Sequence, residues 1–373
     1  MSGTDEGASS RFARSAPRVA LVDFGYATRT ARTGWFSVRV PLRVVAVSAV
    51  LFVVAAVTAM VAITLGDYPL RLDQVLATLV GGGERFHRTI VLEWRLPVAI
   101  AAVLFGALLG IGGAAFQSLT RNPLGSPDVI GFDTGSYTAV VVTVLVFGST
   151  SYWGIASAAI AGGLTTALAV YLLAYRRGIQ GFRLIIVGIG LSAMLGSVNA
   201  YLITRADIED AMTVGFWGAG SIGRVSWNSV VPSLLIAAVI VAAAILLAPA
   251  LKRLELGDEA ATALGTRPTP ARLGLMVVGV ATVALVTAAA GPIGFVALAG
   301  PQLARRLTRS AGVSLLASSG MGAALLALAH LLSLVIAQFY RSVPVGLVTV
   351  CLGGLYLIWL LIRETRRQYG APR

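Results

Sequence analysis

A chain of 373 residues that is 57% hydrophobic and only 12% charged, with a mean hydropathy of +0.85, cannot cover a globular surface with polar side chains. The composition argues against a soluble enzyme and calls for a bilayer to solvate much of the molecule. One cysteine, Cys351, excludes an intrachain disulfide, and His87 and His330 alone are too few for a Cys/His metal centre. The net charge of +13 is carried by arginines gathered between apolar runs, which is the distribution of topology-setting charge and not of a nucleic-acid groove.

Residues 1–41 are basic (Arg11, Arg14, Arg18, Arg29, Arg32, Arg39) and lack helical periodicity, so they read as a disordered cytoplasmic tail that helps orient the first helix. The apolar stretch that follows is long enough to span, and no small-residue cleavage site follows it, which argues against a cleaved signal peptide. Apolar runs then recur at roughly 44–65, 96–116, 134–148, 153–174, 183–204, 229–251, 272–290, 293–304, 313–337 and 344–364. The fold class expected is all-α: a polytopic membrane domain over 42–367 with about ten transmembrane helices, ending in a short cytoplasmic tail at 368–373. The runs 134–148 and 293–304 are shorter than the ~20 residues of a straight span and need tilt, extension or burial.

Charge sets the topology. With both termini inside, Arg176, Arg177 and Arg183 fall on the cytoplasmic side. So do Lys252, Arg253, Arg267 and Arg272, then Arg305, Arg306 and Arg309, and finally Arg363, Arg366 and Arg367. The acidic Asp207, Glu209 and Asp210 fall outside. The exception is the first external loop, with Arg71, Arg85, Arg88 and Arg95. Trp94, Trp153, Trp217 and Trp227 lie near span ends, as interfacial anchors do.

After the second run, Asn122-Pro123 and Ser126-Pro127 force a non-helical break, which needs protein or water around its polar atoms. The same break offers Arg121 and Asp128 as a candidate ion pair. Gly106, Gly110 and Gly113 before it let helix backbones approach closely. Between the sixth and seventh runs, residues 254–265 begin acidic, continue with good helix formers and stop at Gly265 before Pro268. They read as a short helix along the cytoplasmic surface, or as a plain connector between spans.

Two absences bear on the energy source. No phosphate loop exists, since the lone Lys252 is followed by Arg253, so the chain cannot bind ATP in that manner. The runs also hold essentially no carboxylate, which argues against a proton- or ion-coupled secondary transporter.

Arg95-Leu96-Pro97, the stretch from Gln117 to Asp128, Gly291-Pro292-Ile293-Gly294-Phe295-Val296 and Val343-Pro344-Val345-Gly346 occur in this order. Together they resemble the FecCD-type permease family of iron-siderophore, haem and vitamin B12 ABC importers, over roughly residues 42–367. Within it, the segments Arg121 to Phe132, Phe182 to Ile186 and Leu352 to Leu357 are most similar to a ferric enterobactin permease.

The resemblance implies a type II importer permease fold in which two permeases, here a heterodimer by preference, form one pore. It implies two copies of a cytoplasmic ATPase that hold the ATP and magnesium, and a binding protein on the outer face; this chain itself would bind no cofactor and catalyse nothing. Coupling to the ATPase would fall on Gly257, Asp258, Glu259, Ala260, Ala261, Leu264 and Gly265. Docking of the binding protein would use Arg95, although the second arginine of the family pattern is Val98 here, with Arg88, Arg224 and Arg341 as substitutes. Asn199, Thr204, Met212 and Thr213 are candidate pore-lining residues. The cargo implied is a ferric siderophore, with haem or a corrinoid as the alternative. Gln302 stands where the family commonly has histidine, and His330 reads as a core histidine bonded to a backbone carbonyl, or as a residue that touches cargo.

Overall fold

The computed structural model describes residues 28–33, 36–149, 151–175 and 181–369. The chain divides into a small unit ending at Arg43 and a large one from Val44 onward. In the small unit, β1 (Thr28–Thr33) pairs antiparallel with β2 (Phe36–Pro41), from Thr28 opposite Pro41 to Thr33 opposite Phe36. Threonine recurs in β1 and valine in β2, and their branched side chains favour extended backbone. The paired strands correct the disordered-tail reading over residues 28–33 and 36–41 and add two strands to the otherwise helical elements of the described residues. A ladder needs only paired backbone groups, so arginine-rich composition does not forbid it. Residues 1–27 and 370–373 of the expected tails, and Arg176 and Arg177, lie outside the described residues.

After β2, the regular elements of the described residues are all helices. In order come α1 (Leu42–Thr64), α2 (Leu72–Leu79), α3 (Arg85–Thr120), α4 (Phe132–Leu145) and α5 (Tyr152–Ala174). Then follow α6 (Gly181–Arg205), α7 (Ile208–Gly218), α8 (Trp227–Glu255) and α9 (Asp258–Ala263). The chain closes with α10 (Pro268–Ala290), α11 (Val296–Thr308), α12 (Leu315–Phe339) and α13 (Val345–Tyr369). Among the described residues seven helices, α1, α3, α5, α6, α8, α10 and α12, are long and apolar enough to cross a membrane. Helix α4 and the part Val345–Trp359 of α13 are apolar but shorter. The acidic segment read as an external loop is the start of α7, where Glu209 and Asp210 sit in the first turn and favour its N-terminal dipole.

Helix α3 is the central pillar. Of its most apolar stretch 78% is buried within the chain, against 11% for α6. Its glycines make that burial possible. A Cβ on Gly106 would lie 2.4 Å from the Gly322 carbonyl oxygen, one on Gly110 2.1 Å from that of Ser318, and one on Gly113 1.7 Å from that of Ala297. Gly322 in turn faces Gly106 across the crossing, so α3 meets α12 backbone to backbone. Near the start of α3, residues Thr89–Arg95 wind as a π-helix just before Pro97. Proline lacks the N–H of a regular turn and its ring crowds the preceding carbonyls, and the wider turn relieves both.

Phe105, Leu108 and Leu109 of α3 pack in the main core with Val283 and Val286 of α10, Val296 of α11 and Leu326 of α12. A second cluster joins Phe116 to Phe132, whose rings lie 5.4 Å apart, and to Leu184 and Met276. One expectation fails inside this bundle. Asp133 is buried in the first turn of α4 and accepts a hydrogen bond from the Thr287 hydroxyl of α10 at 3.3 Å. The expected absence of buried carboxylates among the apolar helices is therefore wrong. Asp133 sits one residue outside an apolar run, and the left-handed Gly131 (φ 92°) starts the helix early enough to bring it in.

Candidate functional site

The part of α3 from Arg95 to Thr120 is about 39 Å long, taking its 26 residues at ~1.5 Å each, and each end of the helix gathers a different set of predicted residues. At the far end lies residues 254–265. They do form a short surface helix, α9, framed by the left-handed or extended glycines Gly257 (φ 110°) and Gly265 (φ 78°). The Gly265 N–H donates to the Thr262 carbonyl and the Thr266 N–H to that of Ala261, which closes the helix. Ala261 is fully buried against Leu251, Leu254, Ala271 and Leu275. Glu259, Leu264 and Gly265 are exposed on the other face, with Gly257, Asp258 and Ala260 between.

Asp258 anchors this helix. Its carboxylate accepts from the guanidinium of Arg121 and, at 2.6 Å, from that of Arg272 at the start of α10. The Arg121 Nε also donates to the Leu254 carbonyl at the end of α8, at 3.2 Å. The pairing of Arg121 with Asp128 considered from sequence is thus replaced by a pairing with Asp258. The reason is backbone direction. Arg121 caps α3 in the left-handed conformation (φ 49°), and its side chain leaves the break toward α9.

Asp128 has another task. Its Oδ2 accepts from the Phe295 N–H at 2.9 Å, steadying a left-handed Phe295 (φ 68°) that caps α11. The break itself is pinned by the Asn122 side chain, which accepts from the Leu124 N–H at 2.9 Å. Gln302 of α11, the residue at the family's histidine position, donates to the Pro123 carbonyl. Gln117 donates to the Leu298 carbonyl at 2.9 Å. These groups border a cavity of about 890 Å³ lined by Gln117, Arg121, Glu255, Gln302, Arg305 and Arg309 among others.

At the near end, Arg88, Arg224 and Arg341 are exposed, on α3, on the short turn Ile222–Arg224 and beyond α12. Arg95 differs. Its guanidinium donates to the carbonyls of Ile63 at 2.8 Å and Tyr68 at 2.6 Å, tying the end of α1 to α3. Trp227 fastens the same region by donating to the Leu92 carbonyl at 2.8 Å. His330 is buried beside a cavity of about 290 Å³ that Tyr68, Trp94 and Arg95 also line. It has no hydrogen-bond partner among the described residues, so the expected backbone bond is not formed.

The four pore candidates do not share one environment. Asn199 is buried, with Oδ1 lacking a partner. Thr204 is exposed and bonds back to the Ala200 carbonyl, Thr213 is exposed and bonds back to that of Glu209, and Met212 is exposed. Sequence reasoning missed Arg121 and Arg272 as partners of Asp258. An arginine beside a helix end carries no mark of which carboxylate it will meet.

Comparison with known proteins gives this arrangement a setting. The sequence pattern of the FecCD transport family matches residues 50–363. The ferric enterobactin transport system permease protein FepG of Escherichia coli is 46% identical over 81% of this chain and 91% of its own length. FepD, the other ferric enterobactin permease from that organism, is 34% identical over 87% of this chain and 97% of its own. Among solved structures, a metal-chelate type ABC transporter in an inward-facing conformation superposes with a TM-score of 0.74 at 25% identity, covering 85% of this chain and 99% of that one.

Proposed function

The chain belongs to the FecCD transport family, and on that premise we propose that it is the permease subunit of an ABC importer for a ferric siderophore of the catecholate, enterobactin-like type. Ten crossings of the cytoplasmic membrane result when α4, α11 and α13 are added to the seven long helices, with both termini in the cytoplasm. The end bearing Arg253, Arg267, Arg272 and Arg305 is then cytoplasmic, in keeping with the positive-inside rule. A second permease of the same family completes the pore. A heterodimer is supported by the likeness to both FepG and FepD, which are two permeases named for one system.

The observation that carries the reading is α9. It is tethered to the bundle through Asp258 and Ala261 while Glu259, Leu264 and Gly265 face outward. A surface so held can receive displacement from a separate ATPase that holds ATP and magnesium, whereas this chain supplies no phosphate loop of its own. At the opposite end Arg88, Arg224 and Arg341 offer exposed charge to acidic groups of a docked binding protein, with Arg95 as a brace behind them. Thr204, Met212 and Thr213 are the pore candidates that remain accessible on the α6–α7 side.

The test is reconstitution with the second permease, the ATPase and the binding protein in vesicles. ATP-dependent uptake of ferric enterobactin is expected. Replacing Glu259 by alanine together with Gly265 by valine is expected to leave insertion intact and to lower uptake per ATP hydrolysed. Uptake driven by an ion gradient without ATP would instead establish a secondary transporter, and the buried Asp133 would then become its first candidate coupling group.

A further inference from the structure

We infer that Arg121 is the positioning residue through which movement of α9 reaches the break between α3 and α4, an inference that rests on the importer reading above. One guanidinium holds two points at the N-terminal side of the coupling segment, the Leu254 carbonyl at the end of α8 and the Asp258 carboxylate in the first turn of α9. Its backbone is the left-handed cap at which α3 stops, so the pull arrives where the pillar ends and the break begins.

From Arg121 the break has two further attachments. Gln302 holds Pro123 to α11, and Asp128 holds the Phe295 N–H at the start of that same helix. The segment 121–128 therefore links α9 to the start and the middle of α11 by side-chain bonds. Phe295 then reaches α13, because a Cβ on Gly353 would lie 2.2 Å from its ring. The apolar attachment of α9 is slight by comparison, with Ala261 its one fully buried side chain. Arg121 and Asp258 are both about half exposed, so their pair contributes little to stability and its removal leaves the fold in place. Arg272 continues to hold Asp258 in an Arg121 variant, which keeps α9 docked.

The experiment uses the complete transporter in vesicles with Arg121→Gln, Asp258→Asn and the double variant. Cargo moved per ATP hydrolysed is expected to fall by about ten-fold in each single variant, the upper part of the range for residues on a coupling route. In Arg121→Gln the ATPase rate and assembly should stay within about two-fold, as for a surface substitution. The double variant should lose no more than the worse single one, because the link between Arg121 and Asp258 is already gone in each. Arg121→Lys should recover part of the loss by restoring the bond to Asp258. Unchanged transport per ATP in Arg121→Gln, or a double loss equal to the product of the single ones, would overturn the inference. A second readout does not depend on transport. Amide hydrogen exchange at Leu124 and Gly125 is expected to speed up in Asp258→Asn, and unchanged exchange there overturns the link whatever the uptake data say. A wild-type complex without ATP-dependent uptake would sink the importer reading instead.

Discussion

Helices α3 and α6 look alike as strings and differ as objects. Both contain a run apolar enough to span a bilayer, and both carry several glycines. Gly106, Gly110 and Gly113 of α3 press on neighbouring backbones; in α6 Gly181 and Gly188 do so too, but Gly190 and Gly196 have no atom within 4 Å of the place a Cβ would take. Phe182, Ile186, Met194 and Tyr201 of α6 are exposed where the residues of α3 are buried. The difference teaches that hydropathy measures the need to leave water, not what replaces it. Helix α3 finds its environment inside the chain. Helix α6 must find it outside the chain.

The contrast can be broken by substitution. The largest expected effect is Gly110→Leu, which places a branch against the Ser318 carbonyl and should destabilise the isolated chain by more than about 4 kcal/mol. Gly190→Leu on α6 should be neutral or stabilising by up to about 1 kcal/mol through helix propensity. The yield of monodisperse protein in detergent reads both, and equal yields would dissolve the contrast. An intermediate effect is expected for Arg95→Gln. It removes charged donors from the Ile63 and Tyr68 carbonyls and should cost about 2 kcal/mol in thermal unfolding. Arg88→Gln and Arg224→Gln, exposed at the same end, should stay within about 0.5 kcal/mol and alter only docking. The smallest effect belongs to Asn199→Ala on α6. Its buried Oδ1 lacks a partner, so the melting temperature should hold or rise slightly. A marked fall would mean that the amide is engaged after all.

The sequence made the seven long apolar helices, the proline break and the surface helix legible, because each depends on local properties. Length and apolarity define a span, Pro123 and Pro127 stop a helix, and Gly265 closes one. Whatever depended on the direction of a side chain across the fold was not legible. Arg121 meets Asp258, 137 residues away, instead of the nearby Asp128. Asp133 enters the bundle because Gly131 turns left-handed, and His330 lies beside a cavity without the backbone bond its burial suggested. The paired strands at 28–33 and 36–41 escaped for a different reason, since composition says little about a ladder made of backbone alone.

The seam between α3 and α12 has a mechanical consequence. Where Gly106 lies on Gly322 there are no side chains to change rotamer, so the two helices have no means of sliding past one another in small steps. The pair behaves as a stator. Whatever changes shape during a transport cycle must do so around it, in the non-helical stretches at 121–131 and 291–295 and in helices such as α6 that the chain leaves unclasped.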